Sequence, residues 1–328
     1  MIVLDFDYEH DYEYDYEYDP KMIFALSTHW NASKHATGEA LLEEILGMGF
    51  RHVELGYDLR LELVPGVQKM VKEGAVTVLS LHNYCPVPIG AARGHPEIYT
   101  LASAESRERD SAVTHTEKTI RFAAELGAKF VVTHAGNVEM DHFSRELFDL
   151  AARGQQFSPE YDRLRLKMQT QRDKKVQRQL DALESSIDRL LPVLEETGVR
   201  LCFENLPTWE SIPTELELET LMKKRGTKHL GYWHDIGHGQ IRQNMGFISH
   251  EKWLERLQPY LAGMHVHDVL PPATDHVMPP RGKVDFPRFQ RFGALAMVRV
   301  IEPTQRTPKE EIEEALKYLT EVWGSAAS

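Results

Sequence analysis

The chain has 328 residues with 42% hydrophobic side chains, enough for one large α/β barrel or two ordinary domains; no apolar run approaches the roughly 20 residues that cross a bilayer. Its net charge is −12, and eight of the acids lie between Asp5 and Asp19, so residues 21–328 carry only −4, a mildly acidic body that disfavours a nucleic-acid surface. Cys85 and Cys202 are the two cysteines and cannot form a disulfide framework, and the acidic start lacks the basic and apolar regions of a signal peptide, so a cytoplasmic protein with no membrane partner is expected.

Residues 1–21 are of low complexity, with acids at odd positions and Phe6, Tyr8, Tyr12, Tyr14, Tyr16 and Tyr18 at even ones. A self-repelling disordered tail is expected there, with an aromatic-faced strand or a translation start at Met22 as the competing readings. From Met22 the sequence alternates. Met22–Leu26 reads as a strand ending at Ser27-Thr28-His29, and 38–48 as a helix. Val53–Leu55 is a second strand and Val64–Glu73 a second helix, closed by Gly74. Val76–Leu81 is a third strand ending in His82, followed by a long helix over 105–126. Phe130–Thr133 is a fourth strand ending in His134. An irregular charged insertion is expected over 137–165, then a helix to about Thr197 carrying Leu180, Leu183, Ile187, Leu190, Leu191 and Leu194 at helical spacing. Val199–Phe203 is strand five. Thr214–Lys224 is a helix opened by Thr214 and Glu217 in capping-box spacing. His229–Trp233 is strand six, 249–262 a helix, Met264–Val266 strand seven, Asp285–Phe292 a short helix, Met297–Ile301 strand eight and Pro308–Val322 the last helix. Eight strand–helix pairs predict an α/β fold, a (β/α)8 TIM barrel in a single domain over 22–328, with the tail outside it. No Gly-x-Gly-x-x-Gly follows the first strand, which argues against a dinucleotide-binding sheet.

In such a barrel the C-terminal strand ends meet at one mouth. Placed there are His82, His134, Glu204, Asp235, His238, His265, His276 and Glu302. Mixed carboxylates and imidazoles suit Mn, Mg, Zn, Co or Fe, and no nearby cysteine pair suggests a structural zinc site. Asp235-x-x-His238 directly after a strand can send the Asp to one metal and the His to a neighbouring metal or to the substrate; a helix cap or a solvent-facing His238 is the competing reading. Alternation puts His265 and His267 on one face, with His265 deeper and His267 behind it as an orienting residue. Glu302 ends a strongly apolar strand and needs a partner, a metal or Arg299. Glu54, a lone acid in strand two, is a second candidate orienting residue.

These residues resemble the xylose isomerase-like TIM barrel superfamily, which includes sugar isomerases and epimerases, inosose dehydratases and metal-dependent abasic-site endonucleases. The resemblance runs from about Met22 to Trp323. It rests on Glu54, His82, His134-Ala135-Gly136, Glu204-Asn205, Asp235-x-x-His238, His265-x-His267-Asp268, His276 with Gly282-x-Val284-Asp285-Phe286, and Glu302. In the ketose 3-epimerase-like branch four residues hold the metal, and they match Glu204, Asp235, His265 and Glu302. The two catalytic glutamates, Glu204 and Glu302, would exchange the sugar proton through an enediolate, and His238 would hold a substrate oxygen. In the endonuclease branch a larger set holds three zinc ions, which would add His82, His134, His238 and His276 as ligands of further metals; Thr274 stands where that branch has Asp, with Asp275 beside it. The resemblance implies a divalent-metal-dependent isomerase or epimerase of a sugar or sugar-like polyol. The first alternative is a keto-sugar or inosose dehydratase or another lyase, and the second a zinc-dependent abasic-site endonuclease-like phosphodiesterase. The expected partner is a small-molecule sugar, and a homo-oligomer stays open.

Overall fold

Eight parallel strands close into a barrel, each paired with its sequence neighbours, as repeated β-then-α units require. The computed structural model describes residues 23–324, so the acidic tail and Met22 lie outside the described residues. The barrel strands are β1 (Phe24–Ser27), β2 (His52–Leu55), β3 (Thr77–His82), β4 (Phe130–Thr133), β5 (Arg200–Glu204), β6 (Leu230–Asp235), β7 (Leu261–Val266) and β8 (Val298–Ile301). Around them run α1 (Gly38–Leu46), α2 (Val64–Lys72), α3 (Ser106–Glu125), α4 (Phe143–Ala152), α5 (Pro159–Thr197), α6 (Glu215–Arg225), α7 (Ile236–Asn244), α8 (His250–Leu257), α9 (Phe286–Leu295) and α10 (Lys309–Gly324). No described helix is long and apolar enough to cross a membrane.

Three expectations are corrected. The insertion over 137–165 is ordered rather than irregular: Gly136–Asn137 pairs with Ser211–Ile212 in a short antiparallel ribbon, α4 follows, and α5 starts at Pro159 behind the Ser158 cap. The expected 249–262 helix ends at Leu257, because Gln258-Pro259-Tyr260 tightens into a single turn and releases Leu261 and Ala262 into β7. Strand six runs on to Asp235, and a helix not expected, α7, starts on the next residue. The Thr214–Glu217 capping box forms as read.

A large apolar cluster fills the space between strands and helices, including Leu41, Ile45, Leu81, Ile120, Leu190, Phe203 and Trp323. A second cluster joins Ala25, Phe130, Val132, Cys202, Trp233, Ala262, Val298 and Val300, all from barrel strands. Val132, Cys202, Trp233 and Val300 stand two residues before His134, Glu204, Asp235 and Glu302. Period-two alternation therefore sets those four polar side chains one layer above an apolar floor.

Trp233 is fully buried in that floor. Gly263 makes room for it: a Cβ there would lie 2.3 Å from Trp233 Cζ3. Gly263→Ala should destabilise the protein by about 1–3 kcal/mol through overpacking, read as a lower midpoint in urea unfolding; an unchanged midpoint would refute this account of the floor.

Candidate metal centre

The strand ends deliver their side chains to one point. Glu204, Asp235, His265 and Glu302 each offer a donor atom, and these atoms all lie within 4.8 Å of one another. Register explains the convergence: Asp235 pairs with His265 across β6 and β7, and His265 pairs with Val300 two residues before Glu302. His265 Nδ1 stands 3.2 Å from Glu204 Oε1 and 3.3 Å from Glu302 Oε2. Its other nitrogen, Nε2, meets Glu54 Oε1 at 3.0 Å, and Ser80 Oγ donates to Glu54 Oε2 at 2.8 Å. Glu54 thereby fixes the ring and leaves Nδ1 facing the carboxylates.

Glu204 is engaged on both oxygens. Its Oε2 lies 3.2 Å from His82 Nε2 and 3.3 Å from His134 Nε2. His82 Nδ1 is 3.1 Å from the Asn83 carbonyl, which only accepts, so Nδ1 carries the proton. Glu97 Oε1 lies 3.5 Å from His134 Nδ1 on that ring's far side. Two imidazoles thus point Nε2 at a single carboxylate oxygen. That arrangement calls for extra protons on the rings or for a cation among them. His82, His134 and Glu204 are also close enough to serve as a second ligand group.

On the other side Asp235 caps α7, its Oδ1 accepting the His238 backbone N–H at 2.6 Å. His267 Nε2 meets Asp235 Oδ2 at 3.0 Å, and His267 Nδ1 accepts from the His276 backbone N–H at 2.9 Å. Both nitrogens of His267 are therefore used in holding neighbours, as an orienting residue requires. His238 Nδ1 faces the Asn205 carbonyl at 3.0 Å, and His238 Nε2 lies 3.8 Å from Asp275 Oδ2. His276 has φ 50, a left-handed backbone unusual for a residue with a Cβ, and its ring stacks on His267 with centroids 4.2 Å apart. Its Nδ1 lies 3.1 Å from the Glu302 carbonyl.

Glu54, Glu204, Asp235 and Glu302 are all buried. Burial alone would raise Glu204, but His265, His134 and His238 hold it well below the usual carboxylate range. Burial likewise opposes a lower value at Glu302, and His265 and His276 overcome it. Burial disfavours a charged His265, yet Glu302, Glu54 and Glu204 raise it well above the usual imidazole range. His134 is pushed up to about 10 and His238 to about 9, against burial, chiefly by Glu204 and Asp235 respectively. The cluster is an anionic cavity in search of positive charge, and the donor set fits a divalent ion.

All ten singled-out residues, Glu54, His82, His134, Glu204, Asp235, His238, His265, His267, His276 and Glu302, come together at this mouth. Arg299 turns elsewhere and donates to the carbonyls of Gly293 and Ala296. The pocket above the donors is also lined by His29, Tyr57, Glu97 and Asn137, which the sequence reading did not assign. His29 ends the first strand region as read, and its Nδ1 lies 3.1 Å from Asp58 Oδ2, a contact no spacing announces.

A family model described as xylose isomerase-like TIM barrel matches residues 42–322. An uncharacterized protein of Methanocaldococcus jannaschii, MJ1614, is 21% identical over 280 residues, 85% of this chain and 91% of that protein. Among solved structures the chain is similar to a D-tagatose 3-epimerase-like protein, at 19% identity and TM-score 0.66, with 94% of this chain and all of that one covered (100%). It is similar to the 3-keto-D-glucoside 4-epimerase YcjR from E. coli at 16% identity and TM-score 0.65, covering 92% and 100%. It is similar to IolI, solved with a binding zinc atom, at 14% identity and TM-score 0.62, covering 94% and 100%. At these identities the solved structures establish the shared fold.

Asn205 ties the donor strands together. Its Oδ1 accepts from Asp235 N at 2.8 Å and from Tyr232 Oη at 3.0 Å, and its Nδ2 donates to Asp235 O at 2.9 Å. Asn205→Ala should cost about 2–4 kcal/mol by leaving buried groups unpaired, measured by chemical unfolding; a loss under about 0.5 kcal/mol would show these bonds to be dispensable.

Proposed function

Because the chain belongs to the xylose isomerase-like TIM barrel family, and because four buried donors converge at its mouth, we propose that it is a divalent-metal-dependent isomerase or epimerase of a sugar or sugar-like polyol. The observation that carries this reading is the meeting of Glu204, Asp235, His265 and Glu302 within 4.8 Å. These four would hold the ion, and their mixture of carboxylates and one imidazole admits Mn, Mg, Zn, Co or Fe. Bound there, the ion supplies Lewis-acid polarisation of a carbonyl oxygen.

The chain's own residues then divide the work. Glu302 lines the pocket, and among the described residues its Oε1 accepts no hydrogen bond. Held ionised by His265 and His276, it is the side chain suited to take a proton from carbon. Glu204, itself held ionised, would return a proton from the other side by drawing it from His134, whose Nε2 lies 3.3 Å from Glu204 Oε2. His238, fixed through Nδ1 by the Asn205 carbonyl, presents Nε2 to a substrate oxygen. The apolar floor beneath keeps water from the carboxylates on that side.

The pairing of His82 and His134 on Glu204 Oε2 favours a second reading, a multi-metal phosphodiesterase. Metal stoichiometry separates the two: three zinc ions per chain would support the phosphodiesterase, a single ion the isomerase.

The decisive experiment incubates metal-loaded protein with a panel of ketoses and inososes in deuterated water and follows the C–H signal by NMR. Exchange is expected with at least one, and Glu302→Gln should slow it by about 100-fold or more; no exchange with any member of the panel sinks the isomerase reading. A second expectation concerns pH. In the metal-free protein the folded values of His134 (about 10) and His238 (about 9) exceed the ordinary 6.5. Their stabilisation is therefore complete below 6.5 and is lost as pH rises through 9 to 10. An ion held by Glu204 and Asp235 would repel the protons that those carboxylates keep on His134 and His238, so the rise in melting temperature on adding Co²⁺ should be larger at about pH 8.5 than at about pH 6.5. An equal or smaller rise at the higher pH would contradict it.

A further inference from the structure

The pocket above the donors has a volume of about 370 Å³, and no Lys or Arg stands among its described lining residues. One wall is a continuous polar chain. Ser211 Oγ donates to Asn137 Oδ1 at 2.9 Å, so it accepts from Thr208 Oγ1, 2.6 Å away. Asn137 Nδ2 turns to both Glu97 oxygens at 3.4 Å, and His134 Nδ1 approaches Glu97 Oε1 at 3.5 Å. The donor protons run along the wall and end on one carboxylate. What the wall leaves for an occupant is chiefly lone pairs.

The wall is held in shape independently of any occupant. Arg242, fully buried, donates to Leu206 O at 2.6 Å and Thr208 O at 2.8 Å and pairs with Glu215 at 2.6 Å. Arg172, reaching in from α5, donates to Trp209 O at 2.7 Å and Ser211 O at 3.1 Å and forks onto Glu217 at 2.5 and 2.8 Å. Two guanidiniums from different helices thus fix the segment that carries Thr208 and Ser211.

We propose that Glu97, Asn137, Thr208 and Ser211 form a specificity wall that accepts hydroxyl protons from the part of the substrate lying beyond His134, and that this part is an uncharged polyol without phosphate or carboxylate. A phosphate there would bring acceptors to acceptors and a negative charge to Glu97, and His134, the imidazole beside the wall, already faces the Glu97 and Glu204 carboxylates with its two nitrogens. The inference deepens the isomerase reading and rests on it for the reacting end of the sugar.

The test measures binding rather than turnover, by calorimetry on the metal-loaded full chain with D-fructose, D-sorbitol and fructose 6-phosphate. The neutral compounds should bind at least about tenfold more tightly than the ester. Ser211→Ala and Thr208→Val should each weaken fructose binding by roughly tenfold, the loss of one good hydrogen bond. Glu97→Gln should narrow the gap between fructose and its ester. Should Ser211→Ala lower the melting temperature, Thr208→Val carries the test. The wall is overturned if the ester binds as tightly as fructose, if no neutral compound binds, or if both hydroxyl variants leave fructose affinity unchanged. C–H exchange without the variant effects sinks the wall alone; the variant effects without exchange sink the isomerase reading and leave the wall standing.

Discussion

Burying Glu54, Glu204, Asp235 and Glu302 around one imidazole, His265, is the constraint to which this barrel answers. Carboxylates removed from water repel one another and lose hydration, so they persist only where positive charge is returned to them. Among the described residues that line the pocket there is no Lys or Arg to return it. Imidazoles do so in part, each held by its second nitrogen: His265 by Glu54, His267 by the His276 N–H, His238 by the Asn205 carbonyl, His82 by the Asn83 carbonyl. Their orientation is set from outside the cluster, so the inward nitrogens are left to meet whatever cation or proton the cavity holds.

The site was legible in the sequence wherever chemistry fell at the end of an apolar strand. Phe203-Glu204, His234-Asp235 and Ile301-Glu302 each set an acid after buried strand residues, and period two then fixes which face it takes. What was not legible came from packing. Helix α7 begins at Ile236 with two glycines in its first turn, a composition that reads as loop. Those glycines answer to crowding: a Cβ on Gly237 would lie 2.0 Å from His267 Cε1, and one on Gly239 2.3 Å from His250 Nε2. The insertion looked irregular because its order depends on tertiary bonds, such as Glu210 accepting from the Ser144 backbone N–H at 2.8 Å, that no window of sequence contains. Glu97 and Asn137 sit in stretches without period, where nothing marks them as part of a pocket.

The fold places two kinds of material at one mouth. Strand ends, locked by the barrel's register, carry the donors. Connecting segments carry the pocket's outer wall and are stiffened by their own ion pairs, Arg172 with Glu217 and Arg242 with Glu215. The first turn of α6 supplies both of those acids, so the capping box that starts the helix also anchors the wall: Glu217 Oε2 accepts from Thr214 N at 2.8 Å as well as from Arg172.

The grip of Arg172 and Arg242 falls on backbone carbonyls, which every amino acid possesses. Changing the side chains at 208 and 211 thus leaves these backbone anchors in place. Single codon changes at the rim can therefore alter the pocket's hydrogen-bonding side chains and leave the donors on the strands untouched.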